Sequence, residues 1–175
     1  MTESYDVYVG IDWAREAHEV CILVAGSRER IQRSAKHEAK ALGKLAEELA
    51  RHAQGNPERV AIAIEVPRGA VVELLVERGF HVYAINPKQL DRFRDRHTVS
   101  GAKDDRLDAF VLADSLRTDL ELFRRLQVDD PLVIRLRDVS RLDKQLSKQE
   151  VRLANQLTEQ LLRYFPQILE VAGAY

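Results

Sequence analysis

Two acidic side chains close apolar runs in this chain. Asp12 ends Val7-Tyr8-Val9-Gly10-Ile11, and Glu65 ends Val60-Ala61-Ile62-Ala63-Ile64. Two more, Asp105 and Asp108, open the stretch Asp105-Arg106-Leu107-Asp108-Ala109. A carboxylate at the end of a buried strand loses hydration unless positive charge compensates it. Four such groups brought together would repel one another, so oxygen-seeking divalent cations are their expected partner. Mg2+ held by carboxylates is a tool of phosphoryl transfer. The four acids together therefore predict a metal-dependent core that acts on nucleic acid. Singly, each has a plainer reading. Asp12 could open a turn, Glu65 could be a solvated strand end, and Asp105 and Asp108 could serve a helix N-terminus. Asp104 is assigned that capping role, which leaves the other two for chemistry. At about 100° per residue, Asp105, Ala109, Leu112 and Leu116 form one stripe bordered by Asp108, so both carboxylates should extend an apolar face.

These groups need a scaffold, and the hydrophobic pattern supplies one. Residues 5–12 alternate as a strand does, with Tyr5, Val7, Val9 and Ile11 on one face. A second strand is predicted over His18 to Val24 and a third, weaker one near Glu29 to Ser34, joined as an antiparallel meander. The spacing of Leu42, Leu45, Ala46 and Leu49 predicts an amphipathic helix over 38–53, broken by Gly55-Asn56-Pro57. Val60 to Glu65 suits a central strand covered on both faces. Val71 to Arg78 reads as a crossover helix closed by Gly79, His81 to Ile85 as a strand, and Asn86-Pro87 as a turn into a polar helix. Three strands, helix, strand, helix, strand, helix make an α/β sheet with flanking helices, in the element order of the ribonuclease H fold.

From Pro131 the pattern changes. Leu132, Leu136, Val139, Leu142, Leu146, Leu153, Leu157 and Leu161 recur at spacings of three, four or seven, with a register break near Gln149. This predicts one long helix with a coiled-coil-like seam, ended by Pro166. The chain is thus divided into a catalytic domain, 1–125, and a helical oligomerisation segment, 126–175, whose seam predicts a homodimer.

Composition sets outer bounds. The 175 residues are 45% hydrophobic and 31% charged with net charge -1, ordinary for a globular protein and without global basicity. The single cysteine, Cys21, excludes an internal disulfide and a cysteine-rich zinc site, and reads as a small buried hydrophobe. No apolar run approaches the roughly 20 residues of a membrane span, and no signal peptide opens the chain, so no membrane is expected and the location should be cytoplasmic. Lys88, Arg92, Arg94, Arg96, His97 and Lys103 precede the Asp105 helix and are candidates for nucleic-acid phosphates, although Asp91 and Asp95 offset part of their charge. Arg135, Arg137, Arg141, Lys144, Lys148 and Arg152 read chiefly as a solvated face of the long helix. Trp13 could stack on a base or pack beside the site, His18 reads as a strand residue, and His37, His52, His81 and His97 lack zinc-like spacing.

The motifs resemble those of the DEDD transposases of insertion sequences, whose N-terminal domain is similar to the RuvC-type Holliday-junction resolvases. The matching pieces are Gly10-Ile11-Asp12 with His18 and Val20, Ile64-Glu65-Val66-Pro67-Arg68-Gly69, Val82-Tyr83-Ala84-Ile85-Asn86-Pro87, and Gly101-Ala102-Lys103-Asp104-Asp105-Arg106-Leu107-Asp108-Ala109. Asn155 and Tyr164-Phe165-Pro166 match the family's helical region. Asp104 stands where the family usually carries threonine, which leaves both acidic positions intact. The resemblance implies a DNA recombinase, associated with a prokaryotic nucleoid, whose Asp12, Glu65, Asp105 and Asp108 hold two Mg2+ ions, with Mn2+ as a substitute. Asp12 is the expected bridging ligand, with Glu65 and Asp108 on one ion and Asp105 on the other. It also implies DNA and a bridge-type guide RNA as partners. Family members continue into a C-terminal domain with a nucleophilic serine, so the resemblance implies a chain shorter than the whole recombinase.

Three other readings compete. A sugar-kinase or actin-like ATPase shares the Gly-Ile-Asp opening, but Trp13-Ala14-Arg15-Glu16 stands where a phosphate loop would. A stand-alone Holliday-junction resolvase would carry the same acids without the long helix. A non-enzymatic oligomerisation or nucleic-acid-binding module would make the leucine seam the principal feature.

Overall fold

A computed structural model describes residues 4–96, 104–126 and 131–167. Two compact units divide the chain at Val128–Asp129. The first holds a six-stranded mixed sheet in the order β3-β2-β1-β4-β5-β6. Strands β1 (Val7–Asp12), β2 (Ala17–Val24) and β3 (Arg30–Lys36) form the antiparallel meander. Strands β4 (Val60–Ile64) and β5 (His81–Ala84) continue it in parallel with β1. The helices are α1 (Ala39–His52), α2 (Ala70–Glu77), α3 (Pro87–Arg94) and α4 (Asp105–Thr118). This is the ribonuclease H-like α/β architecture that the element order predicts. The short β6 (Arg124–Arg125), antiparallel to β5, went unpredicted, because two exposed arginines carry no strand pattern.

Strand alternation sorts the core into two faces. Val7, Val9 and Ile11 of β1 and Val60, Ile62 and Ile64 of β4 meet Leu42, Leu45 and Leu49 of α1 and Val71 and Leu75 of α2. Ala61 and Ala63 point the other way, toward Val111, Leu112 and Leu116 of α4 and Leu90 and Phe93 of α3. Full burial of each large aliphatic side chain contributes about 1.5–3 kcal/mol, so both faces hold their helices firmly. Tyr5 departs from the expected face. The chain bends at Asp6 before β1 begins, and Tyr5 joins the α4 side, where its hydroxyl lies 2.6 Å from that of Tyr83 and 2.8 Å from His81 Nδ1.

On the α4 side, small residues let helix and sheet approach closely. Cys21 packs with Ala109 and Ala113, and its burial pushes the thiol up to about 11, so it is the inert hydrophobe expected. Gly10 is tighter still: a Cβ there would fall 2.0 Å from the Ala109 carbonyl oxygen and 2.6 Å from the Ala113 nitrogen. Only glycine fits where the helix backbone rests on the strand backbone.

The second unit contains α5 (Pro131–Tyr164), 34 residues ending just before Phe165-Pro166. Leu136, Val139, Leu142, Leu146, Leu153 and Leu157 are each more than half exposed. No helix among the described residues is long and apolar enough to cross a membrane.

Candidate metal centre

The end of β1 places the first carboxylate. Because Val7, Val9 and Ile11 face α1 and α2, alternation turns Gly10 and Asp12 toward α4. In β4 the same parity sends Ala61 and Ala63 to that side and sets Glu65, just past the strand, to follow them. Ile11 and Ile64 are register partners in the parallel β1–β4 pair, so Asp12 and Glu65 leave the sheet at the same end.

Helix α4 brings the other two. Asp104 caps it, its side chain accepting a 3.0 Å hydrogen bond from the Arg106 N–H, and the backbone contact at Gly10 holds the first turns against β1. The buried positions are Asp108, Ala109, Val111, Leu112, Ala113, Ser115 and Leu116. Asp105 was expected on the inward stripe with Asp108 at its border, and the order is reversed: Asp108 is buried and Asp105 exposed. The helix is rotated so that its small residues, Ala109 and Ala113, meet the sheet, and that rotation draws Asp108 in.

One oxygen each from Asp12, Asp105 and Asp108 lie within 4.8 Å of one another. Glu65 falls outside that group, although its charge still acts on Asp12. Burial pushes the Asp12 carboxyl up to about 6, helped by repulsion from Asp108, Asp105 and Glu65 and partly offset by Arg94. Convergent carboxylate oxygens, one of them driven toward protonation by burial and then by its acidic neighbours, are a donor set suited to a hard divalent cation.

Asp108 has a partner of its own. Arg94, on α3, grips it with two parallel bonds, Nε to Oδ1 at 2.5 Å and Nη2 to Oδ2 at 2.7 Å. The third nitrogen, Nη1, reaches Asp91 at 2.8 Å. Sequence reading assigned Arg94 to nucleic acid and missed this pair, since a spacing of fourteen residues across two helices leaves no periodic signal. Gly10 was noticed only as part of a motif. An isolated glycine inside a buried strand was the available sign of a close backbone approach.

The other candidate cations differ in availability. Lys88 and Arg92 are exposed on α3. Arg96 donates to Asp119 at 2.9 Å and lies over the Phe93 ring, 4.8 Å from its centre. His97 and Lys103 lie outside the described residues. Trp13, next to Asp12, is 40% exposed, with its ring near those of His18 and His37. His18 is a buried β2 residue, as expected. Its Nδ1 accepts from the Ala14 N–H at 3.2 Å, so its Nε2–H donates to His37 Nδ1 at 2.9 Å. Burial, with His37 second, lowers its proton affinity.

Comparison with known proteins identifies the family. The DEDD transposase family of the IS110 type, described as "Transposase", matches residues 9–166. "Putative transposase y4uE" of Sinorhizobium fredii is 49% identical over 172 residues, covering 98% of this chain and 48% of the relative. "Mini-circle putative transposase for IS117" of Streptomyces coelicolor is 34% identical over 167 residues, covering 95% of this chain and 40% of the relative. The chain therefore spans about half the length or less of the curated relatives it matches. With matched residues running from β1 through the end of α5, the chain belongs to the IS110-type DEDD transposase family.

Proposed function

We propose that this chain carries the acidic catalytic core of a DNA transposase, with Asp12, Glu65, Asp105 and Asp108 holding two Mg2+ ions, for which Mn2+ can substitute. The observation that carries this reading is the convergence of the Asp12, Asp105 and Asp108 oxygens at the end of the sheet. When bound, such ions supply charge stabilisation to phosphoryl transfer at a DNA phosphodiester. The chain's own groups have separate tasks. Asp12, half-buried and fixed by the central strand, is the natural shared ligand. Asp108, anchored in the core, fixes one side of the site, and Asp105 faces solvent where a nucleic-acid strand can approach. Glu65 joins by a side-chain rotation from the adjoining strand end.

Lys88 and Arg92, exposed on α3, would bind backbone phosphates, and Lys103 would add to them. A guide-type RNA as second partner rests on the family resemblance, and the same cations would serve it. The exposed seam of α5 supports self-association, because apolar rows of this length are ordinarily covered by a partner helix. Light scattering at micromolar concentration should find a dimer, and a strictly monomeric chain would count against that role.

The central test is metal binding. Mg2+ or Mn2+ should raise the Tm of the wild-type chain and give a calorimetric binding signal. Asp12→Asn should lose both while unfolding at a higher temperature than wild type without metal, since it removes one of several repelling charges. An unchanged Mg2+ effect in Asp12→Asn would overturn the reading.

A further inference from the structure

The acidic cluster is not uniformly negative, because one guanidinium is built into it. Arg94 spends two of its three nitrogens on both oxygens of Asp108, the buried carboxylate, and the third on Asp91. Its charge also acts on Asp12 and is acted on by Glu65. It therefore pairs with carboxylates on α3 and α4, and its charge acts on those at the ends of β1 and β4. A bidentate guanidinium occupies both carboxylate oxygens in their plane, which is where a cation would sit.

We infer that Arg94 is a positioning residue that stands in for the divalent cation at Asp108 and competes with it. This rests on the proposed metal site. Without metal, Arg94 pairs with both oxygens of the buried Asp108 carboxylate and holds its side chain in place. A cation that takes an Asp108 oxygen displaces at least one arm of the fork. The displaced arm, still tethered on α3, then becomes available as a donor for a phosphodiester oxygen. Cation and nucleic acid would thus bind cooperatively, since each removes an obstacle to the other.

The experiment is calorimetric titration of the full 175-residue chain with Mn2+ alone, in wild type, Arg94→Gln, Arg94→Lys and Arg96→Gln, each with Tm measured with and without Mn2+. Arg94→Gln should bind Mn2+ at least about fivefold more tightly than wild type. Its Tm should be lower without the ion and show a larger rise with it. Arg94→Lys keeps the charge but loses the fork, so tighter binding there as well separates competition for the Asp108 oxygens from long-range repulsion. Arg96→Gln, whose partner is Asp119, should match wild type. Equal Mn2+ affinity in wild type and both Arg94 variants would overturn the inference and leave the metal site standing. Failure of wild type to bind Mn2+ would overturn both.

Discussion

The two faces of the sheet are built from different materials. On one face, Val, Ile and Leu side chains fill the layer between β1 and β4 and helices α1 and α2. On the other, Gly10 and Cys21 meet Ala109 and Ala113, and the backbone of α4 rests on that of β1. The first arrangement maximises apolar burial. The second shortens the distance between a strand end and a helix start, and that shortening brings Asp12 within reach of Asp105 and Asp108. The carboxylates gather where the side chains between helix and strand are small.

Three experiments would break or sharpen that contrast. Gly10→Val should have the largest effect. Its side chain would collide with the Ala109 carbonyl, a backbone atom that cannot step aside, so α4 must leave the sheet. We expect a loss beyond about 3 kcal/mol, read by thermal unfolding, together with loss of Mn2+ binding even in the fraction that remains folded. Leu49→Ala, on the opposite face, should cost about 2–5 kcal/mol and leave Mn2+ affinity unchanged. If both variants lose stability and metal binding in the same proportion, the two faces are not independent.

The smallest effect is in pH. The carboxyl of Asp12 is raised from 3.8 to about 6 in the folded chain, so the folded state holds its proton more tightly than the unfolded state does. Below the lower value both states are protonated and no penalty arises. As pH rises from about 4 to about 6, the folded state must bear the unfavourable charge, so metal-free stability should fall across that window. Because Asp12 is only half-buried, solvent screening keeps the fall modest. Mg2+ should reverse it, with affinity rising through the same window as cation and proton compete. Denaturant melts at pH 4 and 7, with and without Mg2+, measure both, and a flat profile in Asp12→Asn assigns the effect.

Most of the scaffold was legible before any coordinates. Period-two alternation marked β1 and β2, leucine spacing marked α1 and α5, and Asp104, Gly79 and Pro166 marked helix ends, because these signals are local and each residue reports on its own neighbours. Acidic residues at the ends of buried strands were legible for the same reason: burial can be read from the run that precedes them. What the sequence left open was everything that depended on rotation and distance between elements. It turned α4 the wrong way, placing Asp105 inward and Asp108 at the margin, since periodicity defines a stripe only to within one residue. It kept Tyr5 on the β1 face, because a bend at Asp6 has no signature there. It assigned Arg94 to nucleic-acid phosphates, although that side chain closes on Asp108 across two helices. Tertiary structure decided those points because charge pairing and backbone contact fall off over a few ångströms, a scale that only packing sets.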